Sequence, residues 1–177
     1  MIAYHDTEWG VPCHDDQKLF EYIILDTFQA GLSWQIILRK RENFRHAFDN
    51  FNAVKIARYT DAKLTKLMTD SGIIRNRLKI KGTVKNAQAF LEIQKEFGSF
   101  SKYLWAFVGN QPIVHRHRHN SHIASSNRES DALSRGLKQR GFTFVGTTIC
   151  YAFMQGAGLI NDHLTTCFRH TQVFPRN

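Results

Sequence analysis

Apolar residues recur at three- and four-residue intervals along most of the chain, and each run begins near a side chain able to cap a helix, which confines the fold to packed helices. Leu19, Phe20, Ile23 and Ile24 share one face of a helix that starts at Asp15 or Asp16 and runs to about Asp26. Ser33 caps a second helix with Ile37, Phe44 and Phe48 on its apolar side and Arg39, Lys40, Arg41 and Arg45 on a basic flank. Asp61 caps a short helix carrying Leu64, Leu67 and Met68, and Gly72 is placed to end it as a left-handed C-cap. From about Asn76 to Phe97, Ile80, Val84, Ala87 and Leu91 form one core stripe. Ser99 opens a helix with Phe100, Tyr103, Leu104 and Phe107 inward, Ser130 opens one closed by Gly141, and Thr147 or Thr148 opens an apolar one through Ile149, Phe153, Met154 and Ala157. No strand alternation or internal repeat stands out. The predicted class is all-α, and 177 residues suit one domain over 1–177, with room for two helical lobes around one core.

The 24 Lys+Arg against 15 Asp+Glu leave a formal charge of +9, the sign expected of a phosphate-backbone binder. Cys13, Cys150 and Cys167 are an odd number without disulfide-like spacing, and no secretory leader follows Met1, so a reducing cytoplasm is expected. The longest apolar runs, such as Tyr22 to Leu25, fall short of the ~20 residues that span a bilayer. Residues 113–129 lack periodicity and carry His115, His117, His119 and His122 among arginines and serines, which reads as an exposed loop displaying imidazoles rather than a closed metal cage. No clustered carboxylates suggest a two-metal nuclease.

Four stretches carry chemistry. Asp70 to Asn76 joins two amphipathic helices through a glycine turn, with Arg75, Arg77, Lys79, Lys81 and Lys85 beginning the second helix. Free amides and the positive dipole end at such a helix start suit a phosphate, although an ordinary helical hairpin has the same spacing. His163 and Cys167 stand at i and i+4, which on a helix would bring an imidazole and a thiolate to one metal ion. Ala3 to Gly10 packs Tyr4, His5, Asp6, Glu8 and Trp9 together, too polar for a core and too aromatic for a plain loop. Aromatics that take a nucleobase between them look like this, since stacking an unpaired base is worth ~1–3 kcal/mol. Gln29 to Trp34 reads as a corner between helices that thrusts Trp34 outward.

Taken together, Tyr4-His5-Asp6-x-Glu8-Trp9-Gly10-Val11-Pro12, Gln29-Ala30-Gly31-Leu32-Ser33-Trp34 with Lys40-Arg41-Glu42-Asn43, Gly72-Ile73-Ile74-Arg75-Asn76, Gly141-Phe142-x-Phe144-Val145-Gly146 and Asn161-Asp162-His163 resemble the bacterial 3-methyladenine DNA glycosylase I family over essentially the whole chain. The resemblance implies a helix-hairpin-helix DNA glycosylase that flips an alkylated adenine out of double-stranded DNA and hydrolyses its N-glycosidic bond, releasing free 3-methyladenine. It implies stacking by Tyr4, Trp9 and Trp34, a pocket carboxylate at Asp26 as the catalytic group, phosphate contacts at Ser71, Gly72, Ile73 and Arg75, and a structural zinc on His5, His163 and Cys167; the residues do not fix the oligomeric state, for which a monomer is the expectation. A non-catalytic DNA-binding relative would share the same basic surface.

Two departures from the family stand out. The family usually has Glu where this chain has Asp26, shorter by one methylene or roughly 1.5 Å of reach. The family's first zinc ligand is a Cys upstream of the Tyr-His-Asp motif, and this chain starts three residues before Tyr4. Either Cys13 replaces that ligand, or the ligand lies in a segment upstream of this start, and without one of them a weakened zinc site is expected.

Overall fold

In a computed structural model, which describes residues 1–173, the described residues form ten α-helices, with α2 (Asp16–Gln29) at the centre. The Asp15 carboxylate accepts from the Lys18 amide at 2.7 Å and starts α2, and every residue from Leu19 to Phe28 is buried. One buried face was expected; α2 is instead enclosed by α3 (Trp34–Ala47), α6 (Arg77–Phe97), α7 (Phe100–Ala106) and α9 (Thr147–Gly156). A helix enclosed in this way brings its polar residues inside as well, and this is how Glu21 and Asp26 come to be buried. Phe28 meets Phe44 with ring centroids 4.9 Å apart, and Phe20 meets Phe90 at 4.8 Å, each fully buried ring contributing about 1.5–3 kcal/mol. Asp16 caps a neighbour: its two carboxylate oxygens accept from the Phe100 and Ser101 amides at 2.8 Å, anchoring the start of α7 to α2.

Before α2 lies α1 (Ile2–Thr7), a short helix that no periodicity announced. After α3, α4 (Ala53–Ile56) leads to α5 (Asp61–Thr69), whose N-cap is Thr60 rather than Asp61. Gly72 is not a left-handed cap. Helix α5 stops at Asp70, whose side chain accepts from the Gly72 amide at 2.7 Å, and Gly72 lacks a side chain because a Cβ there would lie 2.9 Å from that carboxylate and 3.1 Å from Asn43. Asn76 then caps α6. The α6 core face runs through Ile80, Thr83, Ala87 and Phe90, so Val84 and Leu91 of the predicted stripe sit at its margin.

The Gly141–Gly146 motif is a packing device. The Thr143 amide donates to Asn86 of α6 at 2.7 Å, and Gly82 leaves room for Phe144, whose backbone is left-handed at φ 60°. Val145 accepts from Ser134 of α8 (Arg128–Gln139), and Gly146 is the N-cap of α9. Helix α8 opens one turn earlier than predicted, at Asn127, with Ser130 completing a capping box.

Two strands of two residues, β1 (Ile113–Val114) and β2 (Ile160–Asn161), pair in parallel with Ile113 opposite Ile160, too short to show alternation in the sequence. That pairing overturns part of the exposed-loop expectation, because His115 and His117 are half-buried against Asp162 while His119 and His122 remain exposed. The last described helix is α10 (Arg169–Gln172). Among the described residues no helix is long and apolar enough to cross a membrane, and the three cysteines are free.

Candidate functional site

The ends of α2 and α9, the start of α3 and the Tyr4–His5 side of α1 surround a cavity of about 280 Å³ lined by Tyr4, Trp9, Asp26, Gln29, Trp34 and Gln155 among others. Tyr4 and Trp34 meet with ring centroids 5.6 Å apart and planes inclined by 56°, leaving a wedge between them. Trp34 turns inward rather than outward, and its indole N–H is buried. That N–H has no hydrogen-bond partner among the described residues. Asp26 projects from the last turn of α2, is 6 % exposed, and has no hydrogen-bond donor on it among the described residues. Burial alone pushes its carboxyl well above the usual carboxylate range. Burial, reinforced by the Asp26 and Glu8 charges, likewise pushes the Tyr4 phenol upward, so it remains a neutral hydroxyl. The pocket therefore has apolar walls and an unpartnered acid at its base, which suits a flat cation.

The residues around the wedge are fixed by ion pairs that sequence spacing did not reveal. Arg41 joins Glu8, at the end of the N-terminal motif, to Glu21 on α2, both at 2.5 Å, and Arg45 adds a second contact to Glu21 at 2.8 Å. Lys40 donates to the Ser71 and Gly72 carbonyls at 2.8 and 3.2 Å. Most of the expected basic flank of α3 is therefore internal scaffolding. Lys79 is a further correction: it is buried, and its ammonium donates to the Phe28 and Ala30 carbonyls at 3.0 and 2.8 Å, closing the C-terminal end of α2 beside Asp26. Burial lowers its pKa.

Beside Trp9, the donor atoms of His5, His163 and Cys167 all lie within 4.8 Å of one another, with His5 Nε2 3.6 Å from Cys167 Sγ. His163 and Cys167 are not on a helix; a turn closed by the Cys167 amide on the Leu164 carbonyl brings them together. Asn161 accepts from His163 Nδ1 at 2.9 Å, so Nε2 is left buried and without a hydrogen-bond partner. Burial, with the nearby cationic groups, pushes His163 down to about 4, keeping that nitrogen's lone pair free at neutral pH. Cys13 is not part of this group; its thiol faces the Asp15 carbonyl.

The family model described as methyladenine glycosylase matches residues 1–170. This chain belongs to the methyladenine glycosylase family. It is 51 % identical over 166 residues to DNA-3-methyladenine glycosylase 1 of Escherichia coli (strain K12), covering 94 % of this chain and 89 % of that one. A crystal structure of a 3-methyladenine DNA glycosylase I superposes with a TM-score of 0.92 at 49 % identity, covering 94 % of this chain and 92 % of the other. A tyrosine-to-phenylalanine variant of a 3-methyladenine DNA glycosylase I in complex with 3-methyladenine superposes with the same TM-score, 0.92, at 37 % identity, covering 94 % of this chain and 89 % of that one.

Within this methyladenine glycosylase the four pocket residues named from the sequence, Tyr4, Trp9, Asp26 and Trp34, come together at one cavity, joined by Gln29 from the Gln29–Trp34 motif and by Gln155, which no motif marked. On the hairpin, Ser71 and Arg75 are exposed, whereas the Ile73 side chain is buried at 3 % and can offer only its backbone. Among the described residues the amides of Ile73, Ile74 and Arg75 donate to no group of the protein. The Gly72 amide is already taken by Asp70.

Proposed function

We propose that this methyladenine glycosylase hydrolyses the N-glycosidic bond of 3-methyladenine in alkylated double-stranded DNA, with Asp26 as the group that selects and stabilises the base. The observation that carries this reading is the buried, unpartnered Asp26 carboxyl beneath the Tyr4–Trp34 wedge. Methylation at N3 makes the purine a cation, so a base flipped from the duplex would supply the counter-charge that Asp26 lacks while the rings stack on its faces. Water adds to C1′ as the C1′–N9 bond breaks. The bond's electron pair neutralises the departing base, and the water's second proton goes to solvent. Because the leaving group is already activated, the pocket need only hold the base and exclude competitors. A cavity of about 280 Å³ lies near the lower end of the ~300–1,000 Å³ typical of small-molecule sites, which suits one base rather than a nucleotide. Purified protein is expected to release free 3-methyladenine from methylated duplex. Binding of that duplex without base release would instead identify a non-catalytic DNA-binding relative.

We further infer that α5, the Asp70–Asn76 turn and α6 act as the helix-hairpin-helix element that holds the DNA backbone, supported by the free amides of Ile73 to Arg75 and by exposed Arg75, Arg77 and Lys81. Arg75→Ala is expected to weaken binding to all duplexes alike and to reduce the slope of log affinity against log salt by about 1. Lys79→Met is expected to leave that slope unchanged and to cost about 2–3 kcal/mol of folding stability in urea melts, since two buried carbonyls lose a charged donor.

His5, His163 and Cys167 fit a structural zinc by donor type and by the free Nε2 of His163; bound there, the metal would tie α1 to the segment after β2. Cobalt(II)-loaded protein is expected to show a thiolate charge-transfer absorption that Cys167→Ser abolishes. Retention of that absorption in the variant would exclude this ligand set.

A further inference from the structure

The His-rich stretch after β1 has no part in the base pocket, yet two of its imidazoles converge on one buried acid. The parallel β1–β2 pairing continues through the His115 amide, which donates to the Asn161 carbonyl at 3.1 Å, and this sets His115 and His117 beside Asp162. His115 Nδ1 lies 2.6 Å and His117 Nε2 3.2 Å from the same oxygen, Asp162 Oδ1. The other oxygen, Oδ2, is occupied by the Tyr151 hydroxyl and the Gln155 amide, both at 2.7 Å. The carboxylate is therefore divided into one oxygen held in orientation by neighbours and one faced by two imidazoles. His117 Nε2 is buried and, although close to Oδ1, does not line up as a hydrogen-bond donor, so it has no such partner among the described residues.

We propose that His115, His117 and Asp162 form a second metal site, taking a divalent transition ion such as zinc. Two imidazoles and one carboxylate favour that class over magnesium or calcium, which prefer all-oxygen shells. Donor atoms of the three residues lie within 4.8 Å of one another, and tetrahedral zinc at its usual bond lengths separates its ligands by about 3.4 Å. A small outward rotation of the imidazoles, whose side chains are 32 % and 20 % exposed while Asp162 is fully buried, makes that space and leaves the fourth position to water. Tyr151 and Gln155 supply the outer hydrogen bonds that orient a ligating carboxylate. Because Gln155 also lines the base pocket, an ion here would hold in place the acid that positions one of its walls. The donor set contains no sulfur and shares no residue with His5, His163 and Cys167.

Cobalt(II) titration of the metal-free full chain tests the site. Wild type is expected to bind one cobalt with a thiolate charge-transfer band and a second without it. His117→Gln and His115→Asn keep an amide donor for Asp162 but remove the ligating nitrogen, so each should lose the second ion alone. Zinc should likewise raise the Tm of wild type more than that of either variant. No thiolate-free ion in wild type, or its retention in both variants, would overturn the proposal. Failure of the cysteine site would remove the charge-transfer band and leave this binding untouched, so the two outcomes are separable.

Discussion

Replacing Asp26 by Asn is expected to stabilise the folded protein and to cost it about 10- to 100-fold in affinity for 3-methyladenine, the size of one hydrogen bond to a charged group. Both effects come from the same burial. The folded-state pKa of Asp26 lies above its unfolded value, so between the two the folded chain binds more protons than the unfolded one, and stability falls as pH rises through that window. Asn removes the penalty. The variant should melt above wild type at neutral and alkaline pH, with the gap closing as pH falls below the ordinary carboxylate range. Base binding has the opposite sign: it needs the charged form, so in wild type it should fade on acidification at a pH above that of an exposed aspartate. Asp26→Glu, which supplies the longer side chain that the sequence resemblance implies here, should keep or raise activity. Thermal melts across pH with titration of free 3-methyladenine test all three, and an Asn variant binding as tightly as wild type would remove Asp26 from its proposed role.

Gly158→Ala should be among the most damaging single-methyl additions in the protein, costing about 3 kcal/mol or more. Gly158 follows α9 with φ +76°, and an added Cβ would lie 2.4 Å from the backbone of Val11 and Pro12. Left-handed backbone with a side chain costs about 1–2 kcal/mol by itself, and a clash with main chain cannot be relieved by a rotamer change. The displaced segment leads directly to Trp9 and Tyr4, so base binding should fall along with stability. Gly31→Ala supplies the comparison: its φ is +83° but nothing lies within 4 Å, so only the backbone term of about 1–2 kcal/mol applies. Urea unfolding of the two variants separates strain from clash, and equal losses would show that the contact with Val11 and Pro12 relaxes freely.

Most of the helices could be read from the chain because their periodicity and caps are local. The misreadings have a common origin. Lys79 looks like a member of a basic DNA-facing row until α2 places two carbonyls beside it, and Arg41 looks like a surface charge until Glu8 and Glu21 arrive from either side. Gly72 reads as a left-handed cap until the Asn43 and Asp70 side chains show that lack of volume is what the turn requires. His115 and His117 read as an exposed run because the strand that gathers them is two residues long.

The pocket follows the same division. Sequence alone determined its residue types, since the aromatics at Tyr4, Trp9 and Trp34 stand in the motifs that carry the family resemblance and the carboxylate at Asp26 stands where that resemblance implies one, and it determined that helices would carry Asp26 and Trp34. Only the tertiary structure decided that Asp26 would be buried without a donor, that Trp34 would turn inward, and that His163 would keep a free nitrogen beside Cys167. Helix periodicity and caps depend on neighbours a few residues apart, whereas desolvation depends on every element packed around a group, and α2 acquires that surrounding only when α3, α6, α7 and α9 close on it.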